Sequence, residues 1–272
     1  MENIEKIRAK YIRYFAHENY GKSEKNLTDK ERKRCTSLAE LWAYIEAVVP
    51  EEHAHYTICD FDGYAVNGDK SISDWVMSPS VLLSAKDEIC KYCWNISWEE
   101  VKKQELKSVS ETMKFLRGRS VMNRRADKGN DVVIFGSSEK PIGRTMVASI
   151  IMKEAMELRT TYRRRDHTYD WIDFPVLMDA LLQDSLDLGD YKSSNWLVVD
   201  NISRTRRSPA QTTLLLDYID PFFIERHRNK LPTILVFKFD IRNESLLIGS
   251  KFGTGIGRIV ESSRTYKIPL SD

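Results

Sequence analysis

Residues 131–145 read Asp131-Val-Val-Ile-Phe-Gly136-Ser-Ser-Glu-Lys140-Pro-Ile-Gly143-Arg144-Thr145. Four apolar residues, Val132 to Phe135, stop at Gly136. A polar loop runs to Gly143, and Met146 to Met156 has helical character. Strand, glycine-bounded loop and helix in that order make a cradle for an anion, because loop N–H groups and the positive end of the helix face one point. The usual phosphate-binding loop is G-x-x-x-x-G-K-[ST]. Here six residues separate the glycines instead of four, and Arg144 stands at the lysine position. The stretch predicts an α/β fold with a nucleotide-binding loop in altered form. Its contact residues are Gly136, Ser137, Ser138, Lys140, Gly143, Arg144, Thr145 and Met146.

Two other apolar runs belong to the same sheet. Asn195-Trp-Leu-Val-Val-Asp200-Asn201-Ile202 ends in an acid. In phosphoryl-transfer proteins an acid at a buried strand's end holds Mg2+; the plainer reading is a turn residue or helix cap. Ligands of open α/β sheets collect at the strand C-terminal ends, so Gly136 and Asp200 are expected at one edge, with Thr145 and Asp200 as the Mg2+ ligands. Thr233-Ile-Leu-Val-Phe-Lys238-Phe-Asp240 places Lys238 beside a terminal phosphate. The expected fold is a parallel sheet with helices on both faces and strands near 132–135, 158–163, 195–200 and 233–239, closed by Arg264-Thr-Tyr-Lys-Ile-Pro269.

These motifs resemble the AAA+ ATPases of the helicase-loader and transposition-helper type, the DnaC/IstB group. The resemblance runs from about Lys114 to Pro269. It rests on the loop at 136–145, the strand ending in Asp200, Asp173-Phe-Pro-Val-Leu-Met-Asp-Ala-Leu, and Arg226-His-Arg-Asn-Lys-Leu-Pro-Thr-Ile. It implies ATP or ADP with Mg2+, a replicative helicase or other DNA-processing protein as partner, single-stranded DNA, and assembly into a homo-oligomer. Arg258, in Gly257-Arg-Ile-Val-Glu261, matches the arginine that reaches a neighbouring subunit's nucleotide in that group; Arg264 is the alternative.

Three departures bear on turnover. Arg144 keeps a positive charge without the compact ammonium geometry of lysine. Asn201 replaces the second acid after the strand, and Lys238 replaces a polar sensor. An amide can orient water but cannot take its proton. Asp200, Asn201, Lys238 and Arg258 are therefore the candidate catalytic set of an ATPase whose hydrolysis is weak or partner-dependent. Lys140 is either a substitute for the missing lysine or a solvated loop residue.

Composition narrows the class. The chain has 272 residues, 42% of them hydrophobic and 30% charged, with a net charge of +2. Such a near-neutral chain binds nucleic acid only through local patches. Two patches stand out: Tyr162-Arg163-Arg164-Arg165-Asp-His-Thr-Tyr169-Asp-Trp171, where guanidinium groups alternate with rings that can stack bases, and Arg204, Arg206 and Arg207 just after Asp200. Solvated surface is the other reading of both. No apolar run approaches the length of a transmembrane helix, and the N-terminus lacks a secretion-signal pattern, so a cytoplasmic location is expected.

Ahead of the predicted ATPase domain at 111–272, residues 1–50 read as two amphipathic helices joined by a polar segment. Either they dock a partner or they pack on the main domain. Residues 51–110 form a connecting segment, with Tyr56 to Gly63 expected as a strand and turn and a helix starting at Pro79; a further helix, from about Glu111 to Met122, is expected to open the ATPase domain. Cys90-Lys-Tyr-Cys93 has metal-ligand spacing, yet lies on a helical apolar face with Leu83, Ile89 and Trp94, which also suits core packing. Two functions remain: an AAA+ ATPase acting as helicase loader or transposition helper, and a non-catalytic adaptor on the same fold.

Overall fold

The computed structural model of the chain describes residues 2–62, 79–136, 143–161, 167–183, 188–203, 212–213, 215–242 and 245–270. Five strands, β1 (Val132–Phe135), β2 (Tyr169–Asp173), β3 (Trp196–Ile202), β4 (Thr233–Phe237) and β5 (Tyr266–Pro269), form one sheet in the order β2-β3-β4-β1-β5. Every neighbouring pair is parallel, so all strand C-termini share one edge.

Helices cover both faces, which is why the inner strands are apolar throughout rather than alternating with polar residues. The helices are α1 (Glu2–Tyr20), α2 (Asp29–Val48), α3 (Pro79–Trp94), α4 (Trp98–Lys102), α5 (Val109–Arg117), α6 (Met122–Lys128), α7 (Arg144–Thr161), α8 (Phe174–Leu182), α9 (Gly189–Ser193), α10 (Asp220–Arg228), α11 (Ser245–Phe252) and α12 (Thr254–Glu261). Successive strand side chains point to opposite faces. Val132, Ile134, Val198 and Val236 therefore join one core with Leu41 and Ile45 of α2, Trp94 of α3 and Ile151 of α7. Val133, Phe135, Val199 and Phe237 join the other with Leu177 of α8, Phe223 of α10 and Ile259 of α12.

α1 lies on α2, where Ala16, Leu27 and Cys35 make a small separate cluster. α2 begins with a reciprocal Thr28–Glu31 cap, a device that satisfies two backbone N–H groups. The segment after α2 is pinned to α7 by Lys153. Its buried ammonium donates to the carbonyls of His53 and Ala54, each at 3.2 Å, and to that of Tyr56.

At the N-terminal edge of the sheet, Arg226 is fully buried. It donates to the carbonyls of Tyr191 (2.7 Å), Lys192 (3.3 Å), Ser194 (2.8 Å) and Pro232 (3.0 Å), and to Thr233 Oγ1 (3.2 Å). Beside it Asp131 accepts from Thr233 N and from His227 Nδ1, both at 2.9 Å. Arg264 Nη2 meets His227 Nε2 at 2.9 Å. Guanidinium only donates, so Nε2 is the acceptor and His227 carries its proton on Nδ1.

Several local expectations change. Where a strand is expected near 158–163, α7 runs through Thr161, residues 162 and 163 lie outside the described residues, and the second strand is Tyr169–Asp173. Helix continuation outcompeted the β-branched pair Thr160-Thr161. Tyr56 to Gly63 holds a 3₁₀ turn at Ile58–Asp62, because the Asp60 carboxylate accepts from both Thr57 N and Thr57 Oγ1, a local bond that competes with a ladder. The helix expected from Glu111 to Met122 is two, α5 and α6, broken at Gly118. The polar stretch 26–34 largely belongs to α2. Leu83 is 47% exposed, whereas Cys90 and Cys93 are buried in the first core. Among the described residues, no group of three or more His, Cys, Asp or Glu is placed to hold a metal, and no helix is long and apolar enough to cross a membrane.

Candidate functional site

At the C-terminal edge, β1 delivers a buried Gly136 and α7 begins at Arg144. Gly143 joins them at φ 76°, a left-handed conformation that favours glycine. Its carbonyl accepts from Val147 N at 2.9 Å, closing the first turn of α7. The positive end of this 18-residue helix therefore sits at the sheet edge. Ser137, Ser138 and Lys140 lie outside the described residues. So do Arg163, Arg164 and Arg165, and Arg204, Arg206 and Arg207.

Arg144 is only 7% exposed. Its Nη1 donates to the Gly136 carbonyl at 3.2 Å, bridging the two ends of the loop. Burial pulls its guanidinium below the usual arginine range, and the charge of Asp200 opposes that pull. Asp200 is 3% exposed. Burial raises its carboxyl above the usual range. The Asn201 N–H, at 2.6 Å, and the Thr145 hydroxyl act against burial by hydrogen bonding; Asp173 raises the carboxyl further, and Lys238 lowers it. Arg144, Thr145 and Lys238 thus each interact with Asp200. Met146 packs in the first core.

β3 is irregular at this point. Its pairing with β4 shifts register between Val199 and Ile202, and Asn201 adopts φ 61°. Such a bulge re-aims the side chains it carries. Asn201 Nδ2 donates to Asp173 Oδ2, and Asp173 Oδ1 accepts from Val176 N at 3.5 Å, capping α8. Lys238 follows the end of β4, exposed, with its N–H on the Ile202 carbonyl at 2.8 Å.

Asp173 was not among the residues picked from sequence. The signal was present: Asp173-Phe-Pro is a helix start directly after Tyr169-Asp-Trp-Ile. Placing the second strand near 158–163 hid the acid at its true end. Tyr169 and Trp171, read as base-stacking rings, serve the fold instead. Tyr169 is buried, with its hydroxyl on the Ala155 carbonyl at 3.1 Å, and Trp171 packs against the first core.

Arg258 is exposed on α12 and, among the described residues, makes no hydrogen bond or ion pair. Arg264 belongs to the N-terminal edge with His227.

The donor set suits a magnesium nucleotide. Mg2+ keeps several waters and takes one or two protein ligands beside phosphate oxygens. The Thr145 hydroxyl and the Asp200 carboxylate already touch each other at the helix N-terminus.

No family model matches the sequence, and neither does any curated protein. Several solved structures are similar to this one, among them three of partial likeness. The crystal structure of DnaI is 16% identical, covering 68% of this chain and 90% of that chain at a TM-score of 0.40. The crystal structure of the DnaC helicase loader is 21% identical, covering 63% and 97% at 0.39. A protein from Streptococcus pyogenes serotype M3, described as a primosome component, is 13% identical, covering 72% and 93% at 0.38. These values describe a partial likeness; the arrangement of the site rests on this chain's own geometry.

Proposed function

We propose that the chain binds ATP or ADP with Mg2+ at the C-terminal edge of its sheet, hydrolyses it weakly or only with a partner, and acts as a helicase loader in DNA replication. The observation that carries this reading is the meeting of the α7 N-terminus, the Thr145 hydroxyl and the Asp200 carboxylate beyond β1. Bound nucleotide would set its phosphates against the α7 N–H groups and Arg144. Thr145 and Asp200 would hold the metal. The metal neutralises charge on the phosphates; the chain's own residues supply position and exclude water.

The loader role rests on the DnaC/IstB-type motifs in the sequence. In this reading the face of residues 1–50 turned away from the sheet's core meets the helicase, Arg258 serves an adjoining subunit, and the arginines of 163–165 and 204–207 contact single-stranded DNA. Asn201 and Lys238 keep hydrolysis slow.

Isothermal calorimetry of the whole chain with ATP and Mg2+, with and without single-stranded DNA, tests the core of it. Saturable binding is expected, and DNA affinity should fall with salt in proportion to the phosphates neutralised. No ATP or ADP binding at millimolar ligand would favour the non-catalytic adaptor, to which the substitution of Arg144 for lysine also points.

A further inference from the structure

Asn201 stands where a second carboxylate would follow Asp200, but its side chain is not idle. It crosses from β3 to β2 and donates through Nδ2 to Asp173 Oδ2. Asp173 is register-matched to Asp200 on the adjoining strand, so an acid is present at this edge, one strand away from its expected place. The backbone accommodates the contact. The shift between Val199 and Ile202 frees residues 200 and 201 from the β4 ladder, and Asn201 occupies φ 61°, which asparagine tolerates better than most residues.

The contact has a chemical consequence. A carboxylate only accepts hydrogen bonds, so Asp173 must face the amide NH2 and never its oxygen. Asp173 therefore fixes which way the amide points, and Oδ1 is left as the acceptor that Asn201 can offer. We propose that Asp173 is a positioning residue of the nucleotide site: it locks the Asn201 amide so that Oδ1 orients water at the terminal phosphate. This rests on the nucleotide reading above.

Oδ1 accepts a hydrogen bond from water without taking its proton, which suits slow turnover. It also changes what Asn201→Asp alone would do. That variant sets three carboxylates together, at 173, 200 and 201, and removes the donor that Asp173 needs.

The test uses the full chain and three variants: Asp173→Ser, Asn201→Asp, and the exchange Asp173→Asn with Asn201→Asp. Serine retains the cap of α8 but is too short to hold Asn201. Calorimetry reads ATP affinity, a phosphate-release assay reads turnover at saturating ATP, and thermal unfolding reads the ligand-free fold. Asp173→Ser should keep affinity within about threefold of wild type and slow turnover by roughly tenfold, the low end for loss of a partner that orients another residue. Asn201→Asp alone should not speed turnover. The exchange should restore the unfolding temperature that each single change lowers, and should raise turnover above wild type.

ATP binding with turnover unaffected by Asp173→Ser, or Asn201→Asp performing as well as the exchange, overturns this proposal alone. ATP binding with no turnover in either the wild type or the exchange also overturns it. Absence of ATP binding by the wild type removes the nucleotide reading and this proposal with it.

Discussion

The two edges of the sheet both bury charge, and they do so in opposite ways. At the N-terminal edge Arg226 meets four carbonyls and one hydroxyl, and Asp131 meets the Thr233 N–H and His227. Donors face acceptors. At the C-terminal edge Asp173 and Asp200 stand in register on neighbouring strands. Asp173 raises the cost of ionising Asp200, which is nearly fully buried, and Asn201 holds a left-handed backbone. A non-glycine residue in that region costs on the order of 1 kcal/mol or more. Polar groups that satisfy one another define structure. Polar groups crowded against like charge mark a place kept for something else.

The first way to break this comparison is at Arg226, where the largest effect is expected. Arg226→Met keeps the volume and strands the carbonyls of Tyr191, Lys192 and Ser194, while that of Pro232 keeps the Leu197 N–H. Loss of stability of about 3–5 kcal/mol is expected, the range for removing one partner from a buried charged network, read by denaturant unfolding. A loss under about 1 kcal/mol would show that the clamp is ornamental and that the edges do not differ as described.

The next effect belongs to the other edge. Arg144→Ala should weaken ATP binding by roughly 1.5–3 kcal/mol through loss of charge-assisted contacts, while costing less stability than Arg226→Met. Calorimetry and unfolding on the same preparation separate the two quantities. Equal ATP affinity in wild type and variant would take Arg144 out of the phosphate cradle and leave it only as the tie to the Gly136 carbonyl.

A smaller effect should have the opposite sign. The folded-state pKa of Asp200 is raised by burial above an unfolded value near ~3.9. Between those two values the folded chain holds a proton that the unfolded chain has released. Asp200 thus favours folding below the unfolded pKa, and that contribution is lost as pH rises through the folded one. At neutral pH the ionised group opposes folding. Asp200→Asn should therefore stabilise the ligand-free chain, by about 0.5–2 kcal/mol if it behaves as other relieved functional sites do, and flatten this part of the pH dependence. It should also abolish the added stability that ATP with Mg2+ confers. A destabilised variant would mean that the Asn201 N–H and Thr145 contacts outweigh burial.

The sheet was legible because its inner strands are short apolar runs bounded by glycine, acid or proline, and the helices on both faces follow from that. β2 was misplaced because it is an edge strand with a mixed pattern. Only Tyr169 and Ile172 of its five residues are buried, whereas Thr160-Thr161 looked more strand-like than it is. That error concealed Asp173, since an acid's meaning depends on lying at a strand end. Arg144, Thr145 and Asp200 were readable because one chain segment or one strand end defines each. The Asn201–Asp173 contact was not, because it joins residues 28 positions apart through a bulge that no pattern announces. Arg226 was noticed as part of a motif, but its five acceptors come from segments that only folding brings together.

The smallest effect on the isolated chain is expected at Arg258. It is exposed on α12, and among the described residues it makes no hydrogen bond or ion pair. A solvated arginine of this kind should change stability by no more than about 0.5 kcal/mol when replaced by alanine. The α12 turn around it is held by other groups: Thr254 Oγ1 donates to Asp220 at 2.8 Å, and Gly255 N donates to the same carboxylate. Nucleotide affinity of the isolated chain should be unchanged for the same reason. If Arg258 instead serves an adjoining subunit's nucleotide, its loss appears only where subunits meet. Turnover measured across a protein-concentration series is then the sensitive readout. The wild type should gain specific activity as concentration rises, Arg258→Ala should not, and the two should coincide at the dilute end. Parallel concentration dependence in both would return Arg258 to ordinary surface and leave the C-terminal edge as a site completed within one chain.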